Sequence, residues 1–285
     1  MKRSLATLLL VVCTPLAAAA QSASPIDYEA AHKDRRLAAA RATGPISLDA
    51  RLDEPSWADA PVASHFIQND PREGAPATFD TEVRMLYDQR ALYIGVFAKD
   101  PSPGEIIVNE LRKDYNTGSA DGFQVVIDTF HDGRNGYQFA INPAGAKWDA
   151  QMSNEGRDTN SNWDGIWDVS TRIGTDGWYA EIEIPFRTLS FDPHAPSWGI
   201  NFQRTIKRKA EETLWTGWAR NQGLTYMVAA GRLEGLQGLD RGVGLDLLPY
   251  VLGSAASAPG RGQPDTIPQG TYGRSEEHTS ELQSH

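Results

Sequence analysis

Cysteine is almost missing from this chain. Its one occurrence, Cys13, lies in an apolar leader. Beyond that leader there is no disulfide, no thiol nucleophile and no cysteine-held metal. Histidine is thin as well: His32, His65, His131, His194, His278 and His285 are scattered and form no H-E-x-x-H pair. A glycine-rich phosphate loop and a G-x-S-x-G elbow are also lacking, which removes the usual signatures of nucleotide enzymes, zinc proteases and serine hydrolases. Past Leu5–Leu16, nothing up to Val251 is long and apolar enough for a membrane-spanning helix. Basic charge is in deficit, with 27 Lys and Arg against 37 Asp and Glu and a formal net charge of −10. That balance argues against nucleic acid as a partner, because backbone phosphates are held by positive charge.

What the chain does have is aromatic side chains and short alternating runs. Eight Trp, nine Tyr and nine Phe accompany 26 Gly and 17 Pro spread between apolar stretches. This predicts an all-β fold, an antiparallel β-sandwich of the immunoglobulin or jelly-roll kind with short helical turns. The most informative stretch is 121–150. Phe123, Val125 and Ile127 alternate with Gln124 and Asp128, then Tyr137, Phe139 and Ile141 with Gln138, Ala140 and Asn142. A period of two means strand. Asp132-Gly133 and Asn135-Gly136 lie between the runs and tolerate positive φ, so the chain reverses there. Lys147–Ala150 starts a third strand.

The same periodicity predicts strands over Thr81–Asp88, Leu92–Ala98, Gly177–Phe186 and Trp198–Lys207, and shorter ones at Ile46–Leu48, Leu214–Trp218 and Met227–Leu233. Leu92–Ala98 is apolar throughout, as for a strand covered on both sides. Asp53-Glu54-Pro55 begins a helical turn that sends Trp57 into the core. Glu181 and Glu183 share the outer side of their strand and are read as solvent-facing, not as a catalytic pair.

Several strings together carry a resemblance: ISLDARLDEPSW from Ile46, TEVRMLYDQRALYIGVFAKDP from Thr81, DGFQVVIDTFHDGRNGYQFAINPAG from Asp121, GWYAEIEIPF from Gly177, WGINFQR from Trp198 and ETLW from Glu212. Over residues 44–235 the chain resembles the family 9 carbohydrate-binding-module-like domain, in the form found at the N-terminus of bacterial outer-membrane β-barrel proteins of unknown function. The resemblance implies a sugar-binding partner, an oligo- or polysaccharide, held near the polar stretch Glu105–Ser119 and between two tryptophans.

The candidate ligand contacts are Arg112, Asp114, Asn142, Trp148, Trp163, Asp164 and Trp167. Trp163 leads. Flanking Asn and Asp offer partners for hydroxyls while an indole face takes the C–H patches of a sugar ring. The alternatives are that Trp163 and Trp167 close the sandwich edge and that Arg112 and Asp114 belong to a solvated loop. Related modules bind calcium, so Asp128, Asp132 and Asn135 are candidate ligands, although their spacing is generic and is not that of an EF-hand loop. No catalytic residue is assigned. Two other functions stay open: a docking domain for the protein's own C-terminal barrel, and part of a glycoside hydrolase in carbohydrate catabolism.

Met1–Ala20 has a basic start, an apolar segment and small residues before Gln21, which is the pattern of a signal peptide. It predicts export to the periplasm or outer membrane. Residues 21–43 are expected to be a flexible lead-in, with a marginal helix over Tyr28–Arg41. Residues 236–273 read as a linker and the start of a truncated membrane barrel. The last stretch, RSEEHTSELQSH (274–285), resembles the translation of a sequencing adapter.

Overall fold

The structure is a computed structural model that describes residues 35–239, together with the backbone of two later strands. In chain order its elements are β1 (Arg36–Ala38), β2 (Ala40–Arg41), the helical turn α1 (Pro55–Asp59), β3 (Val62–Ala63), β4 (Ile67–Asp70), β5 (Thr81–Tyr87), β6 (Ala91–Lys99), β7 (Gly122–Asp128), β8 (Gly136–Ile141), β9 (Lys147–Ser153), β10 (Asp158–Asn160), β11 (Asp168–Ile173), β12 (Gly177–Pro185), β13 (Trp198–Ile206), β14 (Glu211–Leu214) and β15 (Gly231–Glu234). A large nine-stranded sheet runs β1-β15-β13-β7-β8-β9-β10, with β14 on β13 and β4 on β14. A small six-stranded sheet runs β11-β12-β6-β5-β2, with β3 on β5. The predicted signal peptide and the first part of the lead-in lie outside the described residues. Among the described residues, no helix is long and apolar enough to cross a membrane.

Alternation builds the space between the sheets. Phe123, Val125 and Ile127 of β7, Ile200 and Phe202 of β13, Ile94 and Val96 of β6, and Trp178, Ile182 and Ile184 of β12 all fall in one buried cluster. Each such side chain contributes about 1.5–3 kcal/mol on leaving water. At one end of the sandwich a buried charge ties the layers together. Arg204 of β13 donates to the Asp80 carbonyl at 3.0 Å, the Lys99 carbonyl at 2.8 Å and Thr81 Oγ1 at 3.2 Å, reaching across to the small sheet.

The N-terminal segment departs from expectation. Residues 36–41 are not a flexible or helical lead-in. They form β1, parallel to β15 in the large sheet, and β2, parallel to β5 in the small one. One segment therefore borders both sheets, and the sandwich is mixed at that edge. Leu37 supplies the reason, because it is buried in the inter-sheet core. Short parallel edge pairings leave little trace in an Ala-rich sequence. Ile46–Leu48, expected as a short strand, pairs with no strand.

The strand interior at Gly177–Pro185 needs a second correction. Tyr179, Glu181 and Glu183 do face away from the core, but Glu181 is 0% exposed. Residues 44–60 cover it. Its carboxylate accepts the Asp49 N–H at 2.8 Å, the Ala50 N–H at 2.7 Å and the Trp57 indole N–H at 3.0 Å. Trp57 is buried as predicted, but on the outside of the small sheet. It packs with Ala60, Leu86, Ala91 and Tyr93 in a cluster separate from the inter-sheet core. Gly95 makes this possible. A Cβ there would lie 2.7 Å from Leu52 Cδ2 and 2.9 Å from Trp57 Cζ3.

Other boundaries shift by a few residues. The strand expected over Leu214–Trp218 is β14, and Met227–Ala229 is a 3-10 turn ahead of β15. β11 has no counterpart in the sequence reading. Two later strands, β16 (Leu247–Leu252) and β17 (Thr271–Glu276), pair with each other; β16 lies in the stretch read as linker and start of a barrel, and β17 reaches into the tail read as foreign.

Candidate functional site

Strand β9 decides which candidates can act together. Successive side chains on a strand point to opposite faces. Trp148, Ala150 and Met152 lie on the outer face of the large sheet, where they pack with Val126, Leu214 and Trp218. Lys147 and Asp149 lie on the inner side, under the 161–167 loop. Trp148 and Trp163 are thus separated by the sheet and cannot grip one sugar ring between them.

On the inner side the loop closes the sandwich edge. The Trp163 ring lies 5.0 Å from Tyr137 and 6.0 Å from Phe139. Trp167 is 2% exposed and meets Phe139 edge-on at 5.2 Å. Lys147 Nζ sits 4.9 Å above its indole and donates to its carbonyl at 2.5 Å. Asp149 is buried. It accepts the Gly165 N–H at 2.5 Å and has Lys113 Nζ 3.4 Å away. Lys113 also pairs with the exposed Asp164. Trp167 is therefore a core residue, not a free platform, and Asp164 serves to fasten the loop. Trp163 remains half-buried beside a cleft of about 350 Å³ lined by Phe130, Asn135, Tyr137, Gln151 and Asn160, with no charged side chain.

Asn142 is 0% exposed. Its amide donates to the Glu110 carbonyl at 2.7 Å and accepts the N–H groups of Ala144 and Ala146, both at 3.0 Å. It shapes the β8–β9 turn and is closed to a ligand, contrary to its candidacy. Arg112 and Asp114 are exposed. Their segment is pinned by the Asp114 N–H to the Lys147 carbonyl at 2.8 Å, which sets them next to the start of β9 and Trp148.

The β7–β8 turn absorbs the proposed calcium ligands. Asp128 is buried and accepts N–H groups from Phe130 at 3.2 Å, Asp132 at 3.3 Å and Gly133 at 2.7 Å. Burial raises its carboxyl above the ordinary value despite those bonds. Asp132 caps Arg134 at 2.7 Å and Asn135 at 3.1 Å. Among the described residues, no group of three or more His, Cys, Asp or Glu side chains is placed to hold a metal.

A feature that only the tertiary structure assembles crosses the outer face of the large sheet. Gln138 Nε2 donates to Gln124 Oε1 at 2.8 Å, Gln124 Nε2 to Gln203 Oε1 at 3.1 Å, and Gln203 Nε2 to Glu212 Oε2 at 3.0 Å. These residues stand on β8, β7, β13 and β14, which are consecutive neighbours in the sheet. Gln124, Gln203 and Glu212 are half-exposed and Gln138 is buried; Trp148, also half-exposed, pairs with Ala140 of β8 and stands in line with Gln124 two strands away on β7. Burial, reinforced by nearby Asp70, holds the Glu212 carboxyl above its ordinary value. The signal was available in the alternation itself, because Gln124, Gln138 and Gln203 all occupy outward positions. Only the strand order joins them.

The two mixed sheets and the amide row define a β-sandwich with a polar, tryptophan-bearing outer face. Residues 48–230 match the family described as carbohydrate family 9 binding domain-like, and the chain belongs to that family. Among solved structures it is similar to a candidate carbohydrate-binding protein from Bacteroides uniformis, with 12% identity, a TM-score of 0.56 and coverage of 70% of this chain and 98% of that one. It is also similar to a family 9 carbohydrate-binding module from Caldicellulosiruptor kristjanssonii solved with cellotriose, with 14% identity, a TM-score of 0.49 and coverage of 73% and 97%. At such identities the likeness is one of fold. No curated protein matches the chain.

Proposed function

We propose that this chain is an exported, non-catalytic carbohydrate-binding module whose binding face is the outer side of the large sheet. The observation that carries the proposal is the amide row with Trp148 beside it. Each glutamine offers donors and an acceptor, as sugar hydroxyls do. An indole takes the apolar face of a pyranose ring. Arg112 and Asp114, exposed on the neighbouring segment, add charged groups for orientation. Glu181 is fastened to backbone amides and so does not form a hydrolytic pair with Glu183.

The test is a glycan array followed by calorimetry on the folded chain. Trp148→Ala and Gln124→Ala are expected to abolish or sharply weaken binding, and Trp163→Ala to spare it. The reverse pattern would move the site to the uncharged edge cleft beside Trp163, which is the second reading. Silence on every glycan would favour a docking role, and reducing-sugar release that vanishes on neutralising one carboxylate would favour a hydrolase.

The leader Met1–Ala20 supports export to the periplasm or outer membrane, with Gln21 as the mature N-terminus. Mass spectrometry of the protein from cell-envelope fractions checks this. Association with a membrane barrel rests on the resemblance, and recovering the complete reading frame tests it.

A further inference from the structure

We infer that β11 is a docking edge through which two copies of this chain pair, antiparallel and about a two-fold axis at Ser170. Exposed strand edges are normally blunted by shortness, proline or a bulge. The other edges of the sandwich obey that rule. β1 and β10 have three residues each, and β2 and β3 have two. β4 has four, and its Gln68 N–H donates to the Ala75 carbonyl at 2.7 Å. β11 runs for six residues, DVSTRI, without proline, glycine or a shift in register against β12, its neighbour in the sheet.

The register fixes which groups are unpaired. The Gly174 N–H donates to the Gly177 carbonyl at 2.8 Å, and Asp168–Ile173 stand opposite Glu183–Trp178. In an antiparallel ladder the direction of bonding alternates from residue to residue. Asp168, Ser170 and Arg172 therefore turn their backbone groups to β12, whereas Val169, Thr171 and Ile173 turn theirs away from the sheet. Among the described residues nothing bonds to the second set. The β8–β9 turn comes close at Thr171, where a Cβ on Gly145 would lie 3.4 Å from Oγ1, but it makes no bond to that backbone.

Charge selects the partner and its register. A second copy can add its own β11 only with positions 169, 171 and 173 of each facing the other. Centred on Ser170, this pairs Val169 with Thr171 of the second copy and sets Asp168 opposite its Arg172, once on each side of the axis. An axis at Thr171 sets Arg172 opposite Ser170, and one at Arg172 opposes two guanidinium groups, which is destabilising. Asp168 and Arg172 share the outer face and both are exposed. Asp168 has Lys147 Nζ 3.9 Å away, too far for a hydrogen bond. Arg172 donates its ε N–H to the Ala50 carbonyl at 3.1 Å and lies 4.3 Å over the Tyr179 ring, which keeps it on this face with terminal N–H groups to offer a carboxylate. Ile173, 47% exposed, falls within the same seam. A two-fold axis across the seam stands perpendicular to the joined sheet, so both large sheets lie on one side and both amide rows face one way. Two points of attachment to one polymer raise avidity, although the pairing itself does not depend on the carbohydrate reading.

The experiment is sedimentation velocity of the full chain over roughly a hundredfold range of concentration. A reversible monomer–dimer equilibrium is expected, since two short edges make a small interface. Asp168→Arg and Arg172→Asp each place like charges across the seam, and each should weaken the dimer about tenfold or more. An equimolar mixture of these two variants regains both ion pairs and should dimerise as the wild type does. Thr171→Pro removes an outward N–H that β12 does not use, and should leave a monomer that is folded by circular dichroism. A wild-type chain that is monomeric throughout, a dimer untouched by either charge reversal, or a mixture that fails to reassemble would overturn the proposal. If Thr171→Pro did not fold, the wild-type series and the mixture would still decide.

Discussion

The sheets each turn one face away from the shared core, and the chain covers those faces in opposite ways. On the small sheet, residues 44–60 lie down completely. Trp57 fills the space above Gly95, and three donors converge on the Glu181 carboxylate. On the large sheet, the 215–229 segment covers Val126, Ala150 and Met152, and Gln138 between them is buried, but Gln124 and Gln203 stay half-exposed. Both faces carry polar groups. On one, a carboxylate is consumed by backbone amides of its own chain. On the other, the amides bond to one another and to Glu212, and Gln124 and Gln203 keep capacity for a partner. A buried polar group with every bond made is structure, and a half-exposed one with bonds to spare is a place for a ligand.

The sharpest way to break this contrast is to remove the anchor on the sealed face. Glu181→Ala leaves the Asp49 and Ala50 N–H groups and the Trp57 indole without an acceptor. It should cost about 3–5 kcal/mol, read by urea unfolding. Sugar affinity of the folded fraction should not change. A loss of binding at matched folding would mean that the two faces are coupled.

Next in size is Gly95→Ala, which pushes a methyl into the Leu52 and Trp57 side chains and should destabilise by about 1–3 kcal/mol through overpacking. If Trp57 fluorescence and stability stayed as in wild type, the strap would be looser than the contacts indicate. On the open face, Trp148→Ala should weaken glycan binding about tenfold with a smaller effect on unfolding. A variant that unfolds readily but still binds would assign Trp148 to the sealed kind of surface.

The smallest effect concerns Glu212. Burial raises its carboxyl pKa in the folded state, outweighing the Gln203 hydrogen bond. The folded chain then holds this proton to higher pH than the unfolded chain. Stability from this group is present below the ordinary carboxylate value and is lost as pH rises through the raised one. Glu212→Gln removes that loss, so its stability advantage over wild type should grow with pH across that window and vanish below it. Thermal melts at several pH values measure this, and an advantage that shrinks with pH would contradict the burial.

Much of the sandwich was readable because period-two alternation is a local property. β5, β7, β8, β12 and β13 lie where apolar residues alternate with polar ones, and β6 is an unbroken apolar run between turn residues. β1 and β2 escaped because an edge strand of two or three residues has no period to show, and Ala and Arg carry little strand preference. β11 escaped for a related reason, since its DVSTRI is mostly polar and sits at the sheet edge. The candidate site fared less evenly. Tryptophan next to asparagine and aspartate looked like a sugar platform at 163–168. The structure uses Trp167 and Asp164 to close and fasten an edge, because a sandwich open at β10 and β11 must shield Phe139 from water. Trp148, ranked behind Trp163, is the indole left beside the amides.

What the amino-acid order settled alone was the layer architecture, the inward set of side chains, the tight β7–β8 turn and the membership that its motifs announce, since each depends on neighbours a few positions apart. Which outward residues meet one another was decided only in three dimensions. Gln138, Gln124, Gln203 and Glu212 span 88 positions of chain, from 124 to 212, and become adjacent only because β8, β7, β13 and β14 are laid side by side. Glu181 likewise looks like a surface carboxylate until residues 49–57 fold over it. Strand order and coverage are set by long-range pairing, and no local pattern encodes them.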